Sequence, residues 1–172
     1  MENTRTIDIS SVPELAGAGL SVYEGWNEKI ARDLVVASHQ PHIMRNTPKD
    51  SLKRFTDKAS ADHWYTNKGH IVYCLYRGDA IAGIVWFADD ERQDINAKHT
   101  FAIRLYQNAQ GKGLSLPFMK IAHQDFLNKV GPTTIWLETD SDNTVALHLY
   151  KKFGYTKVDE KDGRITMVYT LQ

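Results

Sequence analysis

The stretch that most limits what this chain can fold into is residues 99–126, where a β-rich run passes through Asn108-Ala109-Gln110-Gly111-Lys112-Gly113 straight into a helical pattern. Leu114, Phe118, Ile121, Ala122 and Phe126 recur at three- or four-residue spacing or adjacent to it, which places them on one face of a helix. Glycines let a backbone turn sharply and approach a ligand, and the first turn of a helix leaves N–H groups unpaired, so a strand–turn–helix of this kind suits phosphate oxygens. The same turn also occurs for structural reasons alone. It is not a P-loop, because no Gly-Lys-Ser/Thr closes it, and the dinucleotide fingerprint with its later acidic residue is missing.

The rest of the chain alternates in the same way. Residues 4–9 read as a first strand and residues 24–38 as a first helix, with Trp26, Ile30, Leu34 and Ala37 at helical spacing. Pro48 opens a second helical piece and residues 60–66 form a third. Residues 71–76 and 80–87 form an antiparallel hairpin through Gly78-Asp79, and the acidic residues Asp89, Asp90 and Glu91 read as the start of a loop before the strand at 99–105. After Gly131-Pro132 come a strand at 133–139, a helix at 143–153 ended by Gly154, and a closing pair, 155–158 with 165–170, around Asp162-Gly163. Pro117 lies inside the helix that follows the glycine turn; in an unadapted helix interior proline costs about 3 kcal/mol, so a kink is expected there.

With 172 residues and no repeat or Gly/Ser linker, the chain reads as one domain, residues 1–172. Lys plus Arg equals Asp plus Glu at 21 each, so there is no overall positive field for a polyanion, and nucleic acid is not expected as a partner. Cys74 is the only cysteine, which rules out an internal disulfide and a thiolate zinc cluster; no metal is expected, and a reducing compartment fits. No basic head with an apolar run opens the sequence, and no run of about eighteen apolar residues occurs, so a cytoplasmic location without a membrane partner is the expectation.

A second informative segment runs from Leu137 to Tyr155. A strand ends, Asp142 or Asn143 caps a helix, and Asn143, Ala146 and Tyr150 share one helical face. By itself this also describes a packing face. Together with the glycine turn, it resembles the acetyl-CoA-binding motif and following strand–helix element of the GNAT acetyltransferase superfamily, and the order of elements is similar to that fold over nearly the whole chain. The resemblance implies an α/β (α+β) fold with a mixed, mostly antiparallel sheet of six to seven strands flanked by helices.

It also implies an N-acetyltransferase that uses acetyl-CoA as co-substrate. The cofactor pyrophosphate would lie on the main chain of Gln110, Gly111, Lys112, Gly113, Leu114 and Ser115, and the pantetheine arm along residues 101–105 through Ile103 and Leu105. Asn143 matches a position that bonds near the pantetheine, and Tyr150 the position of the acid that protonates the departing thiolate. Asn108 departs from the Arg or Gln usual three residues before the first glycine.

The run Trp136-Leu137-Glu138 resembles ribosomal-protein N-terminal acetyltransferases, where a glutamate so placed is a candidate base; a solvated strand-end carboxylate is the competing reading. Asp89, Asp90 and Glu91 could attract a cationic acceptor, His99 could act through water, and Tyr23 and Trp26 could wall the acceptor site, although each also fits an ordinary surface or packing role. The acceptor, a small-molecule or peptide amine, is not readable from the sequence, and association as a homodimer stays open. Two other readings remain: a catalytically silent coenzyme A sensor or partner-binding module on the same fold, and a phosphate or nucleotide binder that shares only the glycine turn.

Overall fold

The computed structural model describes residues 3–170. Eight strands among them form one sheet, in the order β1-β2-β3-β4-β5-β6-β8-β7. They are β1 (Thr4–Ile7), β2 (Leu20–Gly25), β3 (Ile71–Arg77), β4 (Ala80–Arg92), β5 (Ala97–Leu105), β6 (Thr134–Asp140), β7 (Thr156–Lys161) and β8 (Arg164–Thr170). The helices are α1 (Pro13–Ala16), α2 (Glu28–Ser38), α3 (Pro41–Asn46), α4 (Lys58–Thr66), α5 (Ser115–Val130) and α6 (Thr144–Phe153), with a π-helical turn at Asp50–Arg54. All neighbouring strands are antiparallel except β5 and β6.

The sheet separates two apolar clusters. One gathers α1, α5 and α6 against Leu75, Phe87, Phe101 and Leu137; the other packs α2, α3 and α4 against Cys74, Ile84 and Trp86. Alternation along β4 and β5 sends successive side chains to opposite clusters, as pleating requires. The far end of the sheet is fastened to α5 by charge: Arg5 reaches Glu24 at 3.2 Å and Asp125 at 2.7 Å, Lys129 reaches Glu24 at 2.7 Å, and the Tyr73 hydroxyl donates to Asp125 at 2.8 Å.

Several expectations need correction. Residues 20–25 are a strand, one more than the sequence pattern supplies, and α2 starts only at Glu28, with Asn27 accepting from the Ile30 N–H. Gly25 is the break: its φ is +115°, and a Cβ there would lie 2.7 Å from the Asn3 carbonyl oxygen, so neither a helix nor another residue fits. The acidic residues 89–91 are not a loop but the continuation of β4, where Asp89 pairs with His99 across the ladder. After Pro48 the chain forms a π turn, closed by the Phe55 N–H on the Asp50 carbonyl, rather than an α-helix, and α3 precedes it. Pro117 makes no kink, because α5 begins at Ser115 and proline falls in the first turn, where its missing N–H would have had no partner.

His123 on α5 is buried among aromatic rings, with Nδ1 at 2.8 Å from the Met119 carbonyl and Nε2 at 2.7 Å from the Tyr155 hydroxyl. A carbonyl can only accept, so Nδ1 carries the proton and Nε2 accepts from Tyr155. Burial pushes the imidazole pKa down to about 3. An unfolded histidine titrates near 6.5, so between about pH 6.5 and 3 only the unfolded chain takes up this proton and stability falls as pH falls, by at most ~1.4 kcal/mol per pH unit. His123→Gln is expected to flatten the stability curve from about pH 6.5 to 5 in urea unfolding; a variant curve running parallel to the parent's would contradict this.

Candidate active site

β5 and β6 touch only briefly. Their parallel pairing covers His99 with Ile135 and Thr100 with Trp136, after which the strands part. β5 stays paired with β4 up to Leu105, and β6 with β8 up to Asp140, so the gap opens between two intact half-sheets. Directly after β5 the Tyr106 N–H bonds the Ala82 carbonyl of β4. Strand groups alternate in direction, so the main-chain groups of Ile103 and Leu105 face the opening. Their carbonyls are met there by side chains, Ile103 by Arg104 Nη1 at 2.9 Å and Leu105 by His42 Nε2 at 3.2 Å. Their N–H groups have no strand to pair with.

The glycine turn follows directly. Gly111 and Gly113 sit at φ +67° and +69°, where side chains are rarely accommodated, and a Cβ on either would meet nothing within 4 Å. The turn is thus open rather than plugged. Among the described residues, the N–H groups of Gly111, Lys112, Gly113, Leu114, Ser115 and Leu116 make no hydrogen bond of normal geometry within the protein. No side chain caps α5 either. Donors without a partner of regular geometry, at the positive end of a sixteen-residue helix, suit an anion of several oxygens. Lys112 folds back, its Nζ donating to the Asn108 carbonyl at 2.9 Å, and Asn108 donates through Nδ2 to the Ile81 carbonyl at 3.1 Å, which makes it a brace under the turn.

α6 lines the other side of the gap. Asn143, not Asp142, is its cap: Oδ1 accepts from the Ala146 N–H at 3.1 Å, leaving Nδ2 uncommitted. Tyr150 is 9% exposed, with its ring 6.3 Å from Phe101 of β5 in an edge-on contact. Among the described residues its hydroxyl has no hydrogen-bond partner. Burial raises the phenol pKa, and the positive charge of Arg104 opposes that rise.

Glu138 projects from β6 on the same face as Trp136, with Arg92 at 3.4 Å and Arg164 at 3.9 Å, so its carboxylate is shared by two guanidinium groups and a third of it reaches solvent. Asp89 is exposed and lies 3.2 Å from Nδ1 of His99, and Asp90 pairs with Lys68 at 3.3 Å. Tyr23 meets Tyr76 edge-on at 5.8 Å, and Trp26 stacks on Tyr65 at 4.7 Å while its Nε1–H donates to Asp62 at 2.9 Å. These two rings belong to the aromatic packing under α2 and α4. Among the described residues no group of three or more His, Cys, Asp or Glu side chains could hold a metal ion, and no helix is long and apolar enough to cross a membrane.

The fold is that of a known class. The acetyltransferase (GNAT) family profile matches residues 39–155, and the chain belongs to that family. It is 30% identical over 102 residues to the mycothiol acetyltransferase of Renibacterium salmoninarum, a match that covers 57% of this chain. The chain spans 29% of that relative's length. The fold is shared with the spermidine N-acetyltransferase of Vibrio cholerae in complex with CoA and spermine (TM-score 0.70, 16% identity, 88% of this chain and 95% of that one). It is shared as well with yncA from Salmonella typhimurium with its cofactor acetyl-CoA (TM-score 0.66, 18% identity, 90% and 95%).

One part of the site lay outside the sequence reading. Asp50, in the π turn, is 1% exposed and accepts from Arg54 Nη1 at 2.7 Å and Arg104 Nε at 2.7 Å. Both guanidinium groups lie over the Trp86 ring, at 5.5 and 4.9 Å from its centroid. Asp50 and Arg54 are spaced like any surface helix pair; the one available signal was an arginine inside the apolar strand at 99–105. A buried carboxylate that loses its charge leaves its partners stranded, at a cost of about 3–5 kcal/mol. Asp50→Asn is therefore expected to lower unfolding free energy by that order, whereas Glu28→Gln, which breaks an exposed pair with Arg32, should cost less than about 1 kcal/mol. Urea denaturation of both variants checks the contrast.

Proposed function

We propose that this chain, acting as one domain over residues 1–172, transfers an acetyl group from acetyl-CoA to the primary amine of a small molecule or protein N-terminus by direct attack, with Tyr150 as general acid. One arrangement carries the reading: the parting of β5 and β6, with unpaired N–H groups of Ile103 and Leu105 on one lip, a turn of free amides at its end, and the unpartnered Tyr150 hydroxyl on the other lip. Both solved neighbours described above hold coenzyme A or its acetyl form, which supports the same ligand here.

In this reading the amides of Gly111, Lys112, Gly113, Leu114 and Ser115, next to Gln110, receive the diphosphate oxygens. Ile103 and Leu105 donate to the amide carbonyls of the pantetheine arm as an added strand would, and Asn143 Nδ2 reaches the same arm. Acetyl-CoA, when bound, supplies a thioester carbonyl and a thiol of pKa about 8.5 that leaves as thiolate. As the new C–N bond forms and the C–S bond breaks, the Tyr150 O–H gives its proton to sulfur. Glu138, at the solvent side of the gap, takes the proton lost by nitrogen through water. That help matters most for a lysine-type amine, neutral in only about one molecule in 2,500 at pH 7, and least for an α-amino group.

Tyr150→Phe is expected to lower kcat by about 10²–10⁴ while acetyl-CoA affinity changes little. Because burial holds the phenol proton more tightly than usual, the parent enzyme should keep its kcat from pH 7 to about 9.5, with no alkaline loss from this group. Free-thiol release with an amine panel measures both; an unchanged kcat in the variant would remove Tyr150 from the reaction.

A further inference from the structure

The side of the gap where an acceptor must enter carries a charge arrangement with a chemical preference. Arg104, Trp86, Trp136 and Glu138 share that face of the sheet, since Thr100 pairs with Trp136 and Trp86 with Ala102 in the ladders. An indole face attracts ammonium groups, but here two guanidinium groups already cover Trp86. Asp50 offers a single negative charge to both, so one positive charge is left over beside the opening.

The two arginines are not equivalent. Arg104 has a 14%-exposed side chain and spends Nε, Nη1 and Nη2 on Asp50 and the Ile103 carbonyl. Arg54 has a 30%-exposed side chain, uses only Nη1, and leaves Nε and Nη2 without a partner among the described residues. Those two N–H directions are parallel in a guanidinium and match the two oxygens of a carboxylate. Across the gap Glu138 shares Arg92 and Arg164 with Asp94 and Asp140, which lie closer to them, so that rim holds three carboxylates against two guanidinium groups and suits the ammonium end of an acceptor, while the surplus positive charge sits at Arg54.

We propose that the acceptor is a small amine that also carries a carboxylate, an amino-acid-like molecule, with Arg54 gripping the carboxylate over Trp86. The inference rests on the acetyltransferase reading and narrows its substrate class. A polyamine would bring further positive charge against the uncompensated guanidinium, and a plain alkylamine would leave the Arg54 donors unused.

The test compares proteinogenic L-amino acids with their carboxamides, with aminoalkylphosphonates and with spermidine, by thiol release from acetyl-CoA. The carboxamide amine is less basic and so more often neutral at pH 7, which means that a preference for the acid must come from the protein. The expected result is a kcat/KM that favours one or more free acids over their amides, and an Arg54→Gln variant whose KM for the acid rises roughly ten- to hundredfold while its KM for acetyl-CoA stays the same. Arg54→Lys should restore part of the loss. The variant keeps the Asp50–Arg104 pair, and a cooperative unfolding transition together with the unchanged KM for acetyl-CoA verifies folding even if the lost Arg54–Asp50 contact lowers the melting temperature. Preference for spermidine, for phosphonates or for the amides, no turnover of any acid, or an acid-to-amide ratio unmoved by Arg54→Gln, overturns the inference while leaving an acetyl-CoA enzyme in place. Failure to bind acetyl-CoA, read by calorimetry on the parent protein, would instead remove the reading on which it stands.

Discussion

Everything in the site depends on a ladder that stops early. A parallel pair of strands normally continues until one strand ends, yet β5 and β6 share only two register positions, and each then follows its own antiparallel partner. Inside a protein, strand groups without partners cost free energy unless something else pairs with them. The chain meets that cost partly with its own side chains, Arg104 and His42 on the carbonyls of Ile103 and Leu105. The N–H groups on the same edge are left for a ligand. The open ladder, the amides beyond Gly111 and the dipole of α5 then line up along one path, because the turn that ends β5 is also the turn that begins α5.

The second organising element is the buried carboxylate of Asp50. It ties the helical cover over one face of the sheet to Arg104 on the free part of β5, so that the region where an acceptor enters and the strand that faces the cofactor are braced by one ion cluster. Burying charge this way is costly unless each group is paired, and here one guanidinium keeps donors to spare. The result is an electrostatic bias at the entrance that comes from the fold and not from the overall composition, which is charge-balanced. Tyr150 sits where that field and its own burial act on it in opposite senses.

Much of the sheet was legible because apolar alternation and turn residues mark its strands: the 71–87 hairpin, the strand before the glycine turn, and the closing pair around Asp162-Gly163 are where the pattern places them. The glycine turn, Asn143 and Tyr150 were legible as types at a spacing, and the structure brings them to one gap. What stayed hidden depends on contacts far apart in sequence. Strand β2 is short, and its Leu20-Ser21-Val22-Tyr23 alternation runs into a helical pattern that only the close packing of Gly25 on Asn3 interrupts. The Asp50–Arg104 contact joins residues 54 positions apart, and the π turn that aims Asp50 inward has no sequence signature. Pro117 misled because the sequence does not say at which residue α5 begins.

Amide hydrogen exchange on β5 tests the central claim most directly. Without ligand, Ile103 and Leu105 should exchange quickly while Ala102 and Arg104, bonded to β4, are protected; saturating acetyl-CoA should slow Ile103, Leu105 and the amides from Gly111 to Leu116 together and leave Ala102 and Arg104 unchanged. Equal protection of all four β5 amides before acetyl-CoA is added, or exchange at Ile103 and Gly113 that acetyl-CoA does not alter, would contradict the account.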